Sequence, residues 1–170
     1  MMTQQSQGWT AYIGVGSNLE SPREQVEQAI SAIAQMEGCF LVAKSSLYRS
    51  EPMGQVDQAD FINAVVAVQT VLDPRTLLAK LQGIEQDQGR VRDGEHWGPR
   101  TLDLDLLMHG SSVINEPGLT LPHPGIALRN FVLLPFAEIA SDVVIPELTD
   151  VATLARKIGT SKPAIEKLAQ

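Results

Sequence analysis

The chain has a single cysteine, Cys39, among 170 residues. No intrachain disulfide can form, which suits a reducing compartment, and the cytoplasm is the expected location. No apolar run approaches the roughly 20 residues that a membrane-spanning helix needs. The opening MMTQQSQGWT has neither the basic nor the apolar region of a secretory signal. Basic residues are outnumbered, 13 Lys and Arg against 20 Asp and Glu, for a net charge of −7. A surface of that sign repels nucleic acid and anionic membranes, so neither is an expected partner. Internal repeats and low-complexity tracts are absent. Aromatics make up 5% of the chain, so those beside polar, chemistry-bearing residues carry extra weight.

What is present is an ordinary globular composition, 44% hydrophobic, with length for one full core. A single domain over residues 1–170 is expected, with loose tails at 1–8 and about 160–170. TAYIGVGSN reads as a strand running into a Gly-Ser-Asn turn. SPREQVEQAISAIAQM reads as a helix with Ser21 as N-cap, Pro22 at the first position, an apolar stripe at Val26, Ala29, Ile30 and Ile33, and Gly38 as its stop. CFLVAKSSLYRS is a second strand, EPMGQVDQ a loop, and DFINAVVAVQT a third, central strand. Asp73-Pro74 repeats the cap signal before a helix over Thr76 to Gln86. DQGRVRDGEHWGP is a long polar loop, and the strand after it holds Asp103 and Asp105. A hairpin, a partly helical stretch and a last helix at TDVATLARKIG complete the chain. The order β-α-β-β-α-β predicts an α+β fold. Its core is ferredoxin-like, a mainly antiparallel sheet with helices on both faces in three α-β-α layers.

In WGPRTLDLDLLMHG, Asp103 and Asp105 fall on one face of a strand and Leu102, Leu104 and Leu106 on the other. Two such carboxylates lie about 6.5–7 Å apart at their Cα atoms. Asp is disfavoured in strands, and a like-charged pair makes sense around a cation. Hard oxygen donors suit Mg²⁺, although two solvent-facing acids on a half-exposed sheet would look the same. Arg90, Arg92 and Arg100 precede the pair, with His96 among them. Arginines beside Mg²⁺-holding acids are the recurring apparatus of phosphoryl transfer. Phe61 and Asn63 share a strand face, where a ring could stack on a flat heterocycle and an amide could read its edge. Trp97 is either a lid or an anchor. His123 is held between prolines and is divided between packing and ligand contact. His109 is expected at the surface, Cys39 as a small buried residue, and GVGSN as a structural turn.

The segments YIGVGSNL, FINAVVAVQT, GRVRDGEHWGPRTLDLDLLMHG and LPHPGIALRNFVLLPFAEIA resemble 6-hydroxymethyl-7,8-dihydropterin pyrophosphokinase, a folate-pathway family, over roughly residues 10 to 146. The resemblance implies transfer of diphosphate from ATP to 6-hydroxymethyl-7,8-dihydropterin, with ATP as co-substrate and two Mg²⁺ held by Asp103 and Asp105. It implies catalytic roles for Arg90, Arg100, Asp103 and Asp105. For the pterin it implies Ser50, Met53, Phe61, Asn63, Trp97 and Phe131. For ATP it implies Glu85, Arg90, Arg92, Trp97, Arg100, Leu106, Thr120, His123 and Arg129. A monomer is expected. His96 and Gly118 stand where such proteins often carry arginine, and Pro124 where an aromatic can follow the histidine. Read without the resemblance, the acid pair also suits a Mg²⁺-dependent nuclease or nucleotidyltransferase. The fold also suits an RNA-binding module, which the acidic charge disfavours.

Overall fold

A computed structural model describes residues 8–19, 21–52, 58–89 and 102–169. Its elements run β1 (Trp9–Ser17), α1 (Pro22–Ala34), β2 (Cys39–Lys44), β3 (Tyr48–Ser50), β4 (Phe61–Thr70), α2 (Pro74–Asp87), β5 (Asp103–His109), β6 (Ile114–Glu116), β7 (Leu119–Leu121), α3 (Asn130–Ala140), α4 (Val151–Ile158) and β8 (Ile165–Lys167). The main sheet is ordered β5-β1-β4-β3-β8, with β2 also on β4, and every pairing in it is antiparallel. Strands β6 and β7 form the expected hairpin. This is the split βαβ arrangement, elaborated at one edge.

Strand alternation builds a core on each face. Ile13, Val15, Ala64, Val66, Leu104 and Leu106 meet Val26, Ile30 and Ile33 of α1 and Leu77 and Leu81 of α2. Val65, Leu107 and Met108 meet Val132 and Phe136 of α3 and Val151 of α4. The three α-β-α layers follow directly.

Asp73 caps α2 as expected, its Oδ1 accepting the Thr76 N–H at 2.9 Å. The same Asx/Ser-Pro signal fails at α1. Ser21 takes φ 61°, left-handed, and makes no side-chain cap. A residue before proline is driven out of the right-handed region, and from the left-handed one its hydroxyl misses the first turn. Helix α1 ends at Ala34, before Gly38, which serves the turn into β2 with φ +88°. The CFLVAKSSLYRS stretch is two strands, because Ser45 leaves the ladder and its Oγ accepts the Val65 N–H.

Three further expectations are corrected. Gly14 and Gly16 lie inside β1, not in a turn. The C-terminal stretch is not loose, since β8 pairs with β3 and Leu168 N–H donates to Leu47 C=O at 2.9 Å. His109 is 1% exposed, its Nε2 lies 2.8 Å from Leu72 C=O, and its ring sits 5.0 Å from that of Trp9. The cause is a bulge in the β1–β5 register between Tyr12 and Ile13, which places one extra residue on β5 and turns His109 to the face opposite Asp105. Cys39 is half-buried, with its Sγ 3.3 Å from Thr70 Oγ1.

Phe136 has no exposed surface and joins α3 to the sheet against Tyr12. Phe136→Ala is expected to cost about 3–5 kcal/mol, read as a lower urea midpoint.

Candidate active site

Directly paired residues on neighbouring strands point to one face. On β1, Gly16 is paired with Asp103 of β5 and with Asn63 of β4, and Gly14 with Asp105 and Val65. On the next strand, Tyr48 lies opposite Asn63, and Ser50 opposite Phe61. One sheet face thus carries the acid pair at one side and Phe61 with Asn63 at the other. Between them runs a strand whose two inward positions have no side chain. At the usual strand spacing β5 and β4 lie about 10 Å apart; Gly16 leaves that width as a floor, while Leu107 covers Gly14, its Cδ2 3.6 Å from where a Cβ would stand. The Asn63 amide leans over it, since a Cβ on Gly16 would sit 3.2 Å from Asn63 Oδ1.

On the ring side, Asn63 is 5% exposed and Ser50 is 2% exposed. Asn63 Nδ2 donates to Ser50 Oγ at 2.8 Å. This hydrogen bond fixes the amide plane and leaves its second N–H and Oδ1 for a ligand. Phe131, half-buried in the first turn of α3, carries Arg129 Cζ 5.9 Å from its ring centroid.

On the acid side, Asp103 and Asp105 are both half-buried, while Leu102, Leu104 and Leu106 are buried on the other face. Arg129 Nη1 lies 3.8 Å from Asp105 Oδ2, so one arginine touches both the acid pair and the ring. His123 Nε2 lies 3.9 Å from Asp105 Oδ1. Burial, helped by Arg129 and opposed by Asp103, pushes the His123 pKa down to about 4. The imidazole is therefore neutral at pH 7, and the contact is not an ion pair. The Gly125 N–H donates to His123 Nδ1 at 3.0 Å, which places the ring proton on Nε2, the nitrogen nearer Asp105.

Edge strand β5 is held along its outer side. Glu85 of α2, 1% exposed, accepts the Leu104 N–H at 2.7 Å, between the two aspartates. The His123 N–H donates to Leu107 C=O at 2.9 Å. The Leu106 side chain packs in the far core, so only its backbone is near the acid strand. Thr120 lies exposed on β7. Gly118 takes φ +82° after Pro117 in the hairpin turn, a position where glycine is favoured over arginine for backbone reasons. Met53, Arg90, Arg92, Trp97 and Arg100, with His96, lie outside the described residues.

The glycine pair was missed in reading the sequence, although glycines two apart in a strand share a face. Also missed was Asn130, fully buried, whose Nδ2 donates to Gly159 C=O at 3.2 Å and Pro163 C=O at 2.8 Å. An amide inside RNFVLL was the available signal.

Residues 12–141 match the model of the 7,8-dihydro-6-hydroxymethylpterin-pyrophosphokinase family. A Haemophilus influenzae 2-amino-4-hydroxy-6-hydroxymethyldihydropteridine pyrophosphokinase is 46% identical over 153 residues, covering 90% of this chain and 95% of the relative. The protein of that name from Pseudomonas aeruginosa is 48% identical over 136 residues, covering 80% and 83%. A solved structure of Plasmodium falciparum HPPK-DHPS, wild type with pteroate, superposes with a TM-score of 0.70 at 14% identity. It covers 95% of this chain and 44% of that longer one, a likeness of fold alone. The family match over most of the chain and the high identity to full-length relatives agree with the site's layout, and the chain belongs to the 7,8-dihydro-6-hydroxymethylpterin-pyrophosphokinase family.

Proposed function

We propose that this chain transfers the β,γ-diphosphate of ATP to the hydroxymethyl oxygen of 6-hydroxymethyl-7,8-dihydropterin, releasing AMP, as a step in folate synthesis. The hydroxyl oxygen gives up its proton to solvent and forms a bond to the β-phosphorus. The bond from that phosphorus to the α,β-bridging oxygen breaks, and AMP leaves with its electron pair. The observation that carries this reading is the single sheet face with an acid pair and a ring-and-amide pair on either side of a glycine floor. That layout suits a charged phosphate chain and a flat heterocycle side by side, and in-line placement supplies much of the rate.

Asp103 and Asp105 are the candidate metal ligands. Their half-exposed carboxylates are hard donors aimed at the open face. Among the described residues no group of three or more acids, histidines or cysteines is placed to hold a metal ion by itself. Such a sparse set fits Mg²⁺, which keeps water and phosphate oxygens in its shell, and two ions are proposed. When bound, Mg²⁺ would neutralise phosphate charge. Arg90 and Arg100 would contact the transferring phosphates, with Arg92 beside them. Phe61 and Phe131 would stack on the two pterin faces and Asn63 would read the edge, with Ser50, Met53 and Trp97 completing that side. Glu85, Leu106, Thr120, His123 and Arg129 would border the nucleotide. The neutral His123 would act there as an N–H donor without charge. We also propose that the protein acts as a monomer in the cytoplasm. Among the described residues no helix is long and apolar enough to cross a membrane.

Phosphorus NMR with ATP, Mg²⁺ and the dihydropterin is expected to show AMP and a pterin diphosphate together; ADP would mean an ordinary kinase. Asp105→Asn is expected to lower turnover by about 100-fold with the fold retained by circular dichroism. Full activity at saturating Mg²⁺ would remove Asp105 from the chemistry. Gly16→Val, which fills the floor beside Asn63, is expected to weaken pterin binding about tenfold in calorimetric titration.

A further inference from the structure

The ring-bearing helix α3 is not self-sufficient where it matters. Pro135 lies inside it and removes the hydrogen bond that would return to the Phe131 carbonyl. The turn that carries Phe131 therefore depends on fastenings from outside the helix. Asn130 provides one, to the Gly159 and Pro163 carbonyls.

The other lies two turns further on. Glu138 is seven residues from Phe131, which puts both on one face of α3, about 10.5 Å apart along its axis. The Glu138 carboxylate accepts the Ser46 N–H at 3.1 Å on each oxygen, the Ser46 hydroxyl at 2.8 Å and the Tyr48 hydroxyl at 2.9 Å. Lys167 Nζ of β8 stands 3.9 Å away. Burial opposes the Glu138 charge, but the hydrogen bonds from Ser46 and Tyr48, with Lys167, outweigh it and hold the carboxyl below its ordinary range. It is ionised at pH 7 and accepts every one of these donors.

The partners of Glu138 lead straight to the pterin side. Tyr48 is paired with Asn63, and Ser50, next on the same face of β3, holds the Asn63 amide at 2.8 Å. Tyr48 is 7% exposed, so its hydroxyl has little room to move. One continuous set of contacts thus runs from the helix carrying Phe131, through Glu138 and β3, to Asn63 and Phe61.

We propose that Glu138 is a positioning residue for the pterin, fixing the height and rotation of α3 so that Phe131 stands at ring-stacking distance above the Phe61–Asn63 face. It does not touch substrate. The proposal rests on the pterin reading of that face.

The test is calorimetric titration with 6-hydroxymethylpterin, alongside the KM of the dihydropterin and of ATP, for wild type, Glu138→Gln, Tyr48→Phe and Lys167→Met. Glutamine keeps the size of the side chain and loses the charge that gathers its donors. Glu138→Gln is expected to raise the pterin Kd and KM about tenfold and to leave the ATP KM unchanged. Tyr48→Phe should act in the same direction and less strongly, and it decides the matter if Glu138→Gln does not fold. Lys167→Met, at a surface contact, should stay within about twofold. Folded Glu138→Gln with a wild-type pterin Kd overturns the proposal. A loss shared equally by pterin and ATP, tracking the melting temperature, also overturns it, since that is mere destabilisation. Wild-type protein that binds pterin without turning it over would sink the reaction and leave this comparison intact; protein that binds no pterin overturns both.

Discussion

Everything in the site depends on β1 lying between β5 and β4. Antiparallel pairing on both sides gives each β1 residue two lateral neighbours on one face, and at Gly16 β1 itself adds no side chain to that face. The acids and the ring-and-amide pair come from strands that begin 42 residues apart in sequence, at Phe61 and Asp103, yet a register of backbone hydrogen bonds sets their separation. No side-chain contact is required to do so. The hydrophobic cores on both faces, with α1 and α2 below and α3 and α4 above, keep this register from slipping, because a shift of one residue would carry Leu104 and Leu106 to the face of the acids.

Much of this was legible in the chain. Alternation in DLDLL reported the face of the acids, the helical stripe of α1 reported its buried side, and Asp73-Pro74 reported a real cap. These signals are local, and each depends on one element's own geometry. Expectations failed where the local backbone departed from what residue type suggests, or where a second element decided. Ser21 looked like Asp73, but its backbone took the left-handed region. His109 followed the arithmetic of an unbroken strand, and the bulge opposite Tyr12 and Ile13 is a property of the pairing. The tail at about 160–170 reads as loose, but the open side of β3 supplies hydrogen-bond partners that composition does not show. In the site, Asp103, Asp105, Phe61 and Asn63 were readable by type and spacing. The Asn63–Ser50 bond and the Glu138 cluster link residues 13 and about 90 positions apart, beyond any local pattern.

Charge is distributed with the same economy. Arg129 stands between Asp105 and the Phe131 ring, so a single cation borders both halves of the face. His123 is kept neutral by its burial and by that same arginine.

The bulge in β5 divides one short strand into two stretches with separate duties. Residues before it present their odd-numbered side chains to the open face; after it the parity reverses, and His109 turns inward beneath Leu72. Substitutions on either side can accumulate independently, since each stretch answers to its own surroundings. Changes in length cannot. Removing a single residue near Leu107 would close the bulge and keep His109 opposite Ala11, but it would take from the face of the acids the leucine that packs against Gly14. Across related chains, this strand should thus vary in letters while keeping its count.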